Sequence, residues 1–107
     1  MISIWKYNIE PDFVNQEMEL PEGAEILSFG LDGADRLCFW ALVDTEARKV
    51  KRTMACIGTG WDAGPTFGAQ GNRAVEYIGT VTHGIYVWHL FEVLAQTDEI
   101  ENTDTHA

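Results

Sequence analysis

Cations are scarce in this chain. Its 107 residues hold 7 Lys and Arg against 17 Asp and Glu, a formal net charge of -10 at pH 7. General binding to a nucleic-acid backbone needs clustered Lys and Arg, so this balance argues against direct contact with DNA or RNA. Cysteine is scarce too. The two present, Cys38 and Cys56, are too few for a secreted disulfide scaffold and lack the Cys-x-x-Cys spacing of a structural zinc site. No apolar window reaches the ~18 to 20 residues of a membrane span, and the opening residues lack the charged and apolar regions of a signal peptide. The expectation is a soluble cytoplasmic protein with no membrane partner. Repeats and low-complexity blocks are absent.

What is present is apolar and aromatic. Hydrophobic residues make up 46% of the chain and tryptophan occurs four times, so one domain of this size can bury a core without disulfides or metal. The most apolar stretch is residues 37–43, Leu-Cys-Phe-Trp-Ala-Leu-Val. Alternate strand residues point to opposite faces, so Leu37, Phe39, Ala41 and Val43 share one face and Cys38, Trp40 and Leu42 the other. Both faces are apolar, which predicts a central strand buried on both sides.

The other elements follow in order. Residues 3–9 alternate as a first strand, broken by Pro11 and Asp12; residues 16–20 suit a half-exposed strand; Pro21 to Ala24 form a turn. Residues 25–29 form the next strand, and Asp32-Gly33 turns it into the central one. Residues 44–49 connect to a strand over 50–58. A hairpin centred near Ala47 would set Cys38 opposite Cys56 and Trp40 opposite Met54, allowing a cross-strand disulfide that a reducing cytoplasm disfavours. Residues 77–82 and 85–91 form a last hairpin across His83-Gly84. Its second strand is apolar on both faces apart from His89, and is expected beside the central strand or in an oligomer interface. The fold class is all-β: a small antiparallel sandwich or barrel of six or seven strands, with an α+β arrangement open if residues 11–17 or the tail are helical. Residues 1–92 make a single domain, and 93–107 a solvated acidic tail whose first residues either prolong the last strand or start a helical turn.

Certain blocks carry a resemblance. They are Ile4 to Tyr7, Leu20 to Ala24 with Ile26 to Ser28, Trp40 to Asp44, Gly58 to Gly60, Tyr77 to Thr80 and Val87 to Glu92. Together they resemble a family of short uncharacterised proteins carried by bacteriophages and bacterial genomes, a domain of unknown function. The likeness runs nearly to Glu92, and the chain departs from the pattern by a longer glycine-rich loop and its acidic tail. It implies a phage or prophage protein acting in the cytoplasm of a bacterial host cell, and brings no activity or catalytic residue with it.

Two constellations are candidates for a ligand. Arg48, Lys49, Lys51 and Arg52 hold four of the seven cations and would form a local anion site, or else a solvated hairpin end. Residues 58–75 hold five of the ten glycines. There Gly60 and Gly64 leave backbone N–H groups accessible as phosphate-cradling loops do, Trp61 and Phe67 offer faces for a base, and Arg73 adds charge. The alternative is a loop stapled to the core by its aromatics. No P-loop or dinucleotide fingerprint is present. His83 and His89 lie a strand apart, so no chelating pair and no metal is expected, and no cofactor. No nucleophile or base can be named, so the protein is expected not to be an enzyme.

The leading expectation is a phage-derived, non-enzymatic, homo-oligomeric binding protein that sequesters a nucleotide-like signalling molecule of host defence, its pocket completed at a symmetric interface. The rival uses the eight carboxylates between Glu10 and Asp35, with no intervening cation, to imitate a phosphate track and occupy a basic host nucleic-acid-binding protein.

Overall fold

A computed structural model describes residues 1–11 and 15–94. Seven strands and one short helix run in the order β1 (Ile2–Asn8), β2 (Asn15–Pro21), β3 (Glu25–Leu31), β4 (Leu37–Asp44), β5 (Lys49–Gly58), α1 (Gly64–Phe67), β6 (Val75–His83) and β7 (Tyr86–Val93). They form two antiparallel sheets, a three-stranded one in the order β1-β4-β3 and a four-stranded one in the order β2-β5-β7-β6. The fold is a small β sandwich. Neither sheet closes into a barrel, and the one helix is four residues long.

Alternation dictates which side chains meet between the sheets. Phe39, Ala41 and Val43 of β4, Met54 and Cys56 of β5, and Trp88 and Leu90 of β7 join Leu20 and Leu37 in one buried cluster. Fully burying a side chain of this size contributes about 1.5–3 kcal/mol each, so this layer supplies most of the fold's driving force. Strand β4 is central in its sheet, as its apolar run predicts, but it is not buried on both sides. On its outer face Trp40 is half-buried and Leu42 exposed. The run is apolar there without a second layer to cover it.

The β4–β5 connection corrects a second expectation. It is not a hairpin: β4 pairs with β1 and β3, whereas β5 pairs with β2 and β7, so the acidic turn after Asp44 carries the chain from one sheet to the other. Cys38 is therefore paired with Asn8 and Gly30, and Cys56 with Leu90. Both are free buried thiols in different sheets. Burial raises the Cys38 thiol above its ordinary pKa and pushes Cys56 up to about 12.

The final hairpin is formed as read, although β7 inserts between β5 and β6 rather than beside β4. Val93 completes β7 and the Leu94 N–H donates to Ala74 O, which carries the folded domain two residues past Glu92. The acidic tail beyond Leu94 lies outside the described residues.

Candidate functional site

Two turns build one end of the sandwich. In the β3–β4 turn, Asp32 accepts hydrogen bonds from the Ala34 and Arg36 N–H groups at 2.8 and 3.0 Å and from the Lys6 ammonium at 2.8 Å. The Lys6 bond, then the Arg36 N–H, holds the Asp32 carboxyl well below the usual carboxylate range. This Asx-type turn fixes the next residues. Asp35 takes φ +66°, the one positive φ at a non-glycine position among the described residues. Such a conformation costs an L-residue energy and is drawn to turns and functional sites. Across from it, the β6–β7 turn swings through Gly84 at φ +65° and presents His83, whose Nε2 lies 3.1 Å from Asp35 Oδ2. One hairpin end from each sheet is thereby joined.

Between these turns and the chain leaving β1 is a cleft of about 270 Å³, lined by Asn8 to Pro11, Asp35 to Leu37, His83, Tyr86 and Trp88. Tyr86 and Trp88 stack with ring centroids 5.6 Å apart, and Trp61 meets Trp88 edge-on at 5.1 Å. Tyr86 is 54% exposed, so one ring face is open to a ligand. Arg36 is 61% exposed on its side chain, and its guanidinium has only a loose contact, 3.5 Å, with Asp32. The site thus sets a planar aromatic surface beside a cation held out in water.

Of the four cations expected to act together, the three on β5 are divided between its two faces. Strand alternation sends Arg52 toward the interior and Lys49 and Lys51 to the opposite face of β5. Arg52 makes a two-pronged ion pair with Glu92 at 2.7 and 2.9 Å and also donates to Ala24 O at 2.6 Å. Arg48 pairs with Glu22 at 3.0 Å, and Lys51 approaches Glu17 at 3.9 Å.

The glycine-rich loop is similarly engaged with the protein itself. Phe67 packs edge-on against Phe91 and, with Ala63, covers Ala55, Ile57 and Val93 on the outer face of the larger sheet. The Gly64 N–H donates to Asp62, the Phe67 N–H to Ala63 O and the Gly68 N–H to Gly64 O. Asn15 clamps the segment to β2, donating to Pro65 O and accepting from the buried Thr66 hydroxyl. Arg73 donates to Pro65 O and Thr66 O at 3.2 and 3.4 Å, satisfying carbonyls at the end of α1. Of the loop's predicted contacts, Trp61 touches a cleft residue, Trp88, while Gly60 takes φ +89° in the turn that leads to it.

The carboxylates of the acidic half are spread over the molecule. Asp32 is held by Lys6, Glu22 faces Arg48, Asp35 faces His83, and Glu17 and Glu25 lie on different sheets. His89 sits between the Thr59 and Thr80 hydroxyls at 2.7 and 3.0 Å. Among the described residues no group of three or more His, Cys, Asp and Glu could hold a metal ion, and no helix is long and apolar enough to cross a membrane.

Residues 1–101 match the family model of a domain of unknown function, DUF7352. The chain belongs to this family. DUF7352 covers all seven strands and every residue of the cleft, and its match runs past Glu92 into the segment read as a departing tail. The resemblance to a domain of unknown function is borne out. No curated protein matches the chain, and no solved structure does. For DUF7352, the cleft geometry is accordingly the firmest ground for a functional reading.

Proposed function

We propose that the protein is a non-enzymatic binding module that sequesters a small nucleotide-like ligand in the end cleft. One observation carries this: an open aromatic face, Tyr86 stacked on Trp88, adjoins the exposed guanidinium of Arg36 and the His83–Asp35 pair. A base has a π-face that stacks on Tyr86, and its phosphate has the charge that Arg36 complements. The cleft, at about 270 Å³, is at the small end of ligand pockets, so it suits the ring of the ligand with the phosphate projecting toward Arg36 at the rim. Removal of a signalling molecule from solution needs affinity and no chemistry. The phage setting rests on the sequence resemblance alone, the host-defence role is part of this proposal, and the ligand class rests on the aromatic and cationic lining.

This reading moves the ligand away from the basic stretch of β5 and the glycine-rich loop, where Arg48, Arg52 and Arg73 and the Gly64 and Gly68 N–H groups already have partners within the chain. Calorimetric titration with mono-, di- and cyclic nucleotides tests it. Arg36→Ala and Tyr86→Ala each weaken binding at least about tenfold, whereas Lys49→Ala with Lys51→Ala leaves it within about twofold. Binding of no nucleotide, or loss only in the β5 variant, overturns the reading.

A further inference from the structure

The sandwich has four edge strands, and three of them are blunted. Strands β3 and β6 each carry a register shift, at Ile26/Ser28 and at Tyr77/Gly79. A Cβ added at Gly79 would sit 3.3 Å from Phe29, so these two edges close on each other at one side of the sandwich. Strand β2 ends at Pro21 and shows Glu17 and Glu19 to solvent. Bulges, proline and charge are the devices by which sheet edges avoid pairing with other chains.

Strand β1 has neither bulge nor proline, and its one charge, Lys6, is drawn to Asp32 at 2.8 Å. Its seven residues pair with β4 without a shift, from Ile2↔Asp44 to Asn8↔Cys38, and among the described residues no strand pairs with its other side. The ladder shows which groups are left over. The Thr45 N–H donates to Met1 O and the Ile9 N–H donates to Leu37 O, both continuing the β1–β4 register. Antiparallel pairing alternates, so odd-numbered residues of β1 bond β4, and Ile2, Ile4, Lys6 and Asn8 turn their N–H and C=O groups to the free edge. Of the side chains beside those groups, Ile2 and Ile4 are apolar and exposed, at 64% and 57%.

Charge identifies the occupant. In a chain of net charge -10, residues 1–9 contain no carboxylate and one cation, Lys6. Here one acidic copy can approach another without carboxylate facing carboxylate. The edge is also self-complementary. A two-fold axis through Trp5 sets Ile2 of one copy against Asn8 of the other and Ile4 against Lys6, so all four outward-facing residues find hydrogen-bonding partners.

We infer that β1 is the homodimer edge of this protein: two copies pair antiparallel through β1 about Trp5, joining their three-stranded sheets into one of six strands. The two half-buried Trp5 side chains then meet on the inner side of the joint, in a closely spaced pair. The interface is isologous and closed, so assembly stops at two. The inference is independent of the ligand reading, because β1 supplies the cleft only its terminal residue Asn8.

Sedimentation velocity of the full chain across the micromolar range, with residue-resolved amide exchange on the same samples, tests it. A dimer is expected in which the Ile4 and Lys6 amides exchange slowly at high concentration and faster on dilution, while the Trp5 amide, bonded to β4, does not respond. Ile4→Pro removes an edge donor, and Ile4→Lys removes apolar contact and sets two cations side by side; each weakens association at least about tenfold. The lysine variant changes an exposed side chain and so keeps the monomer folded. A monomer at every concentration overturns the inference, as does a dimer whose Ile4 and Lys6 amides exchange freely or which survives both substitutions.

Discussion

The glycine-rich loop and the end cleft make opposite use of the same residue types. In the loop, aromatic rings and a cation are spent on the protein itself: Phe67 covers the outer face of the larger sheet and Arg73 holds the carbonyls of α1. In the cleft, Tyr86 and Arg36 are exposed, and the backbone at Asp35 is held in a conformation that only its surroundings justify. A composition rich in glycine, aromatics and charge therefore says little about binding. What separates the two regions is whether those groups already have partners.

Substitutions should separate them in the same way. The largest effect on stability is expected from Phe67→Ala, which strips the cover from Ala55 and Ile57. For a half-buried ring the loss is about 2 kcal/mol, read as a lower midpoint in urea unfolding, with nucleotide affinity of the folded protein unchanged. Gly58→Ala is expected to cost about 1–2 kcal/mol, because the added Cβ would sit 2.9 Å from the Trp61 indole nitrogen and push that ring from Trp88. Since Trp61 braces a cleft residue, this variant is also expected to weaken nucleotide binding, and a loss confined to stability would restrict Trp61 to a structural role.

Acid sharpens the contrast. The folded-state pKa of Asp32 is depressed, so the stabilisation it gives the β3–β4 turn is complete above the unfolded-state pKa, about 4, and declines as pH falls below it. Amide exchange at the turn and nucleotide affinity should both respond there, while the protection of α1 should not. Lys6→Met should move the loss to higher pH. The smallest change in stability is expected for Asp35→Gly: relief of the left-handed backbone and the greater freedom of the unfolded chain nearly cancel, leaving about 0.5 kcal/mol or less. Affinity should nevertheless fall, since His83 loses the carboxylate that orients it.

Much of the fold was legible because alternation and turn chemistry are local. The apolar parity of β4, the Pro21 to Ala24 turn and the two hairpins could be read directly. The crossing between sheets could not, because the acidic residues after Asp44 suit a tight hairpin and a connection between layers equally well. That ambiguity also produced the misplaced pairing of Cys38 with Cys56. The cation run was misleading for a related reason: adjacent strand residues diverge, so Lys51 and Arg52 point to opposite faces despite being neighbours in sequence. The cleft was hidden because its walls come from three turns more than twenty residues apart, near Pro11, Asp35 and His83. A signal for part of it was present in Tyr86 and Trp88, which share a parity just after the His83-Gly84 turn.

The interleaving of strands between the layers governs how the chain reaches this state. Strand β2 pairs with β5, which arrives after β3 and β4 have gone to the other sheet, and β7 separates β6 from β5. Neither layer is built from consecutive strands alone, since β2 interrupts the smaller sheet and β3 and β4 interrupt the larger. Loop closure must be paid before the ladders reward it, which puts folding on the order of milliseconds to seconds, the range of β sandwiches of high contact order. A ribosome-bound chain that has exposed only β1 to β4 holds three strands of one layer and a lone β2, so the smaller sheet, with its unblunted β1 edge, is the part exposed to other nascent copies while synthesis continues.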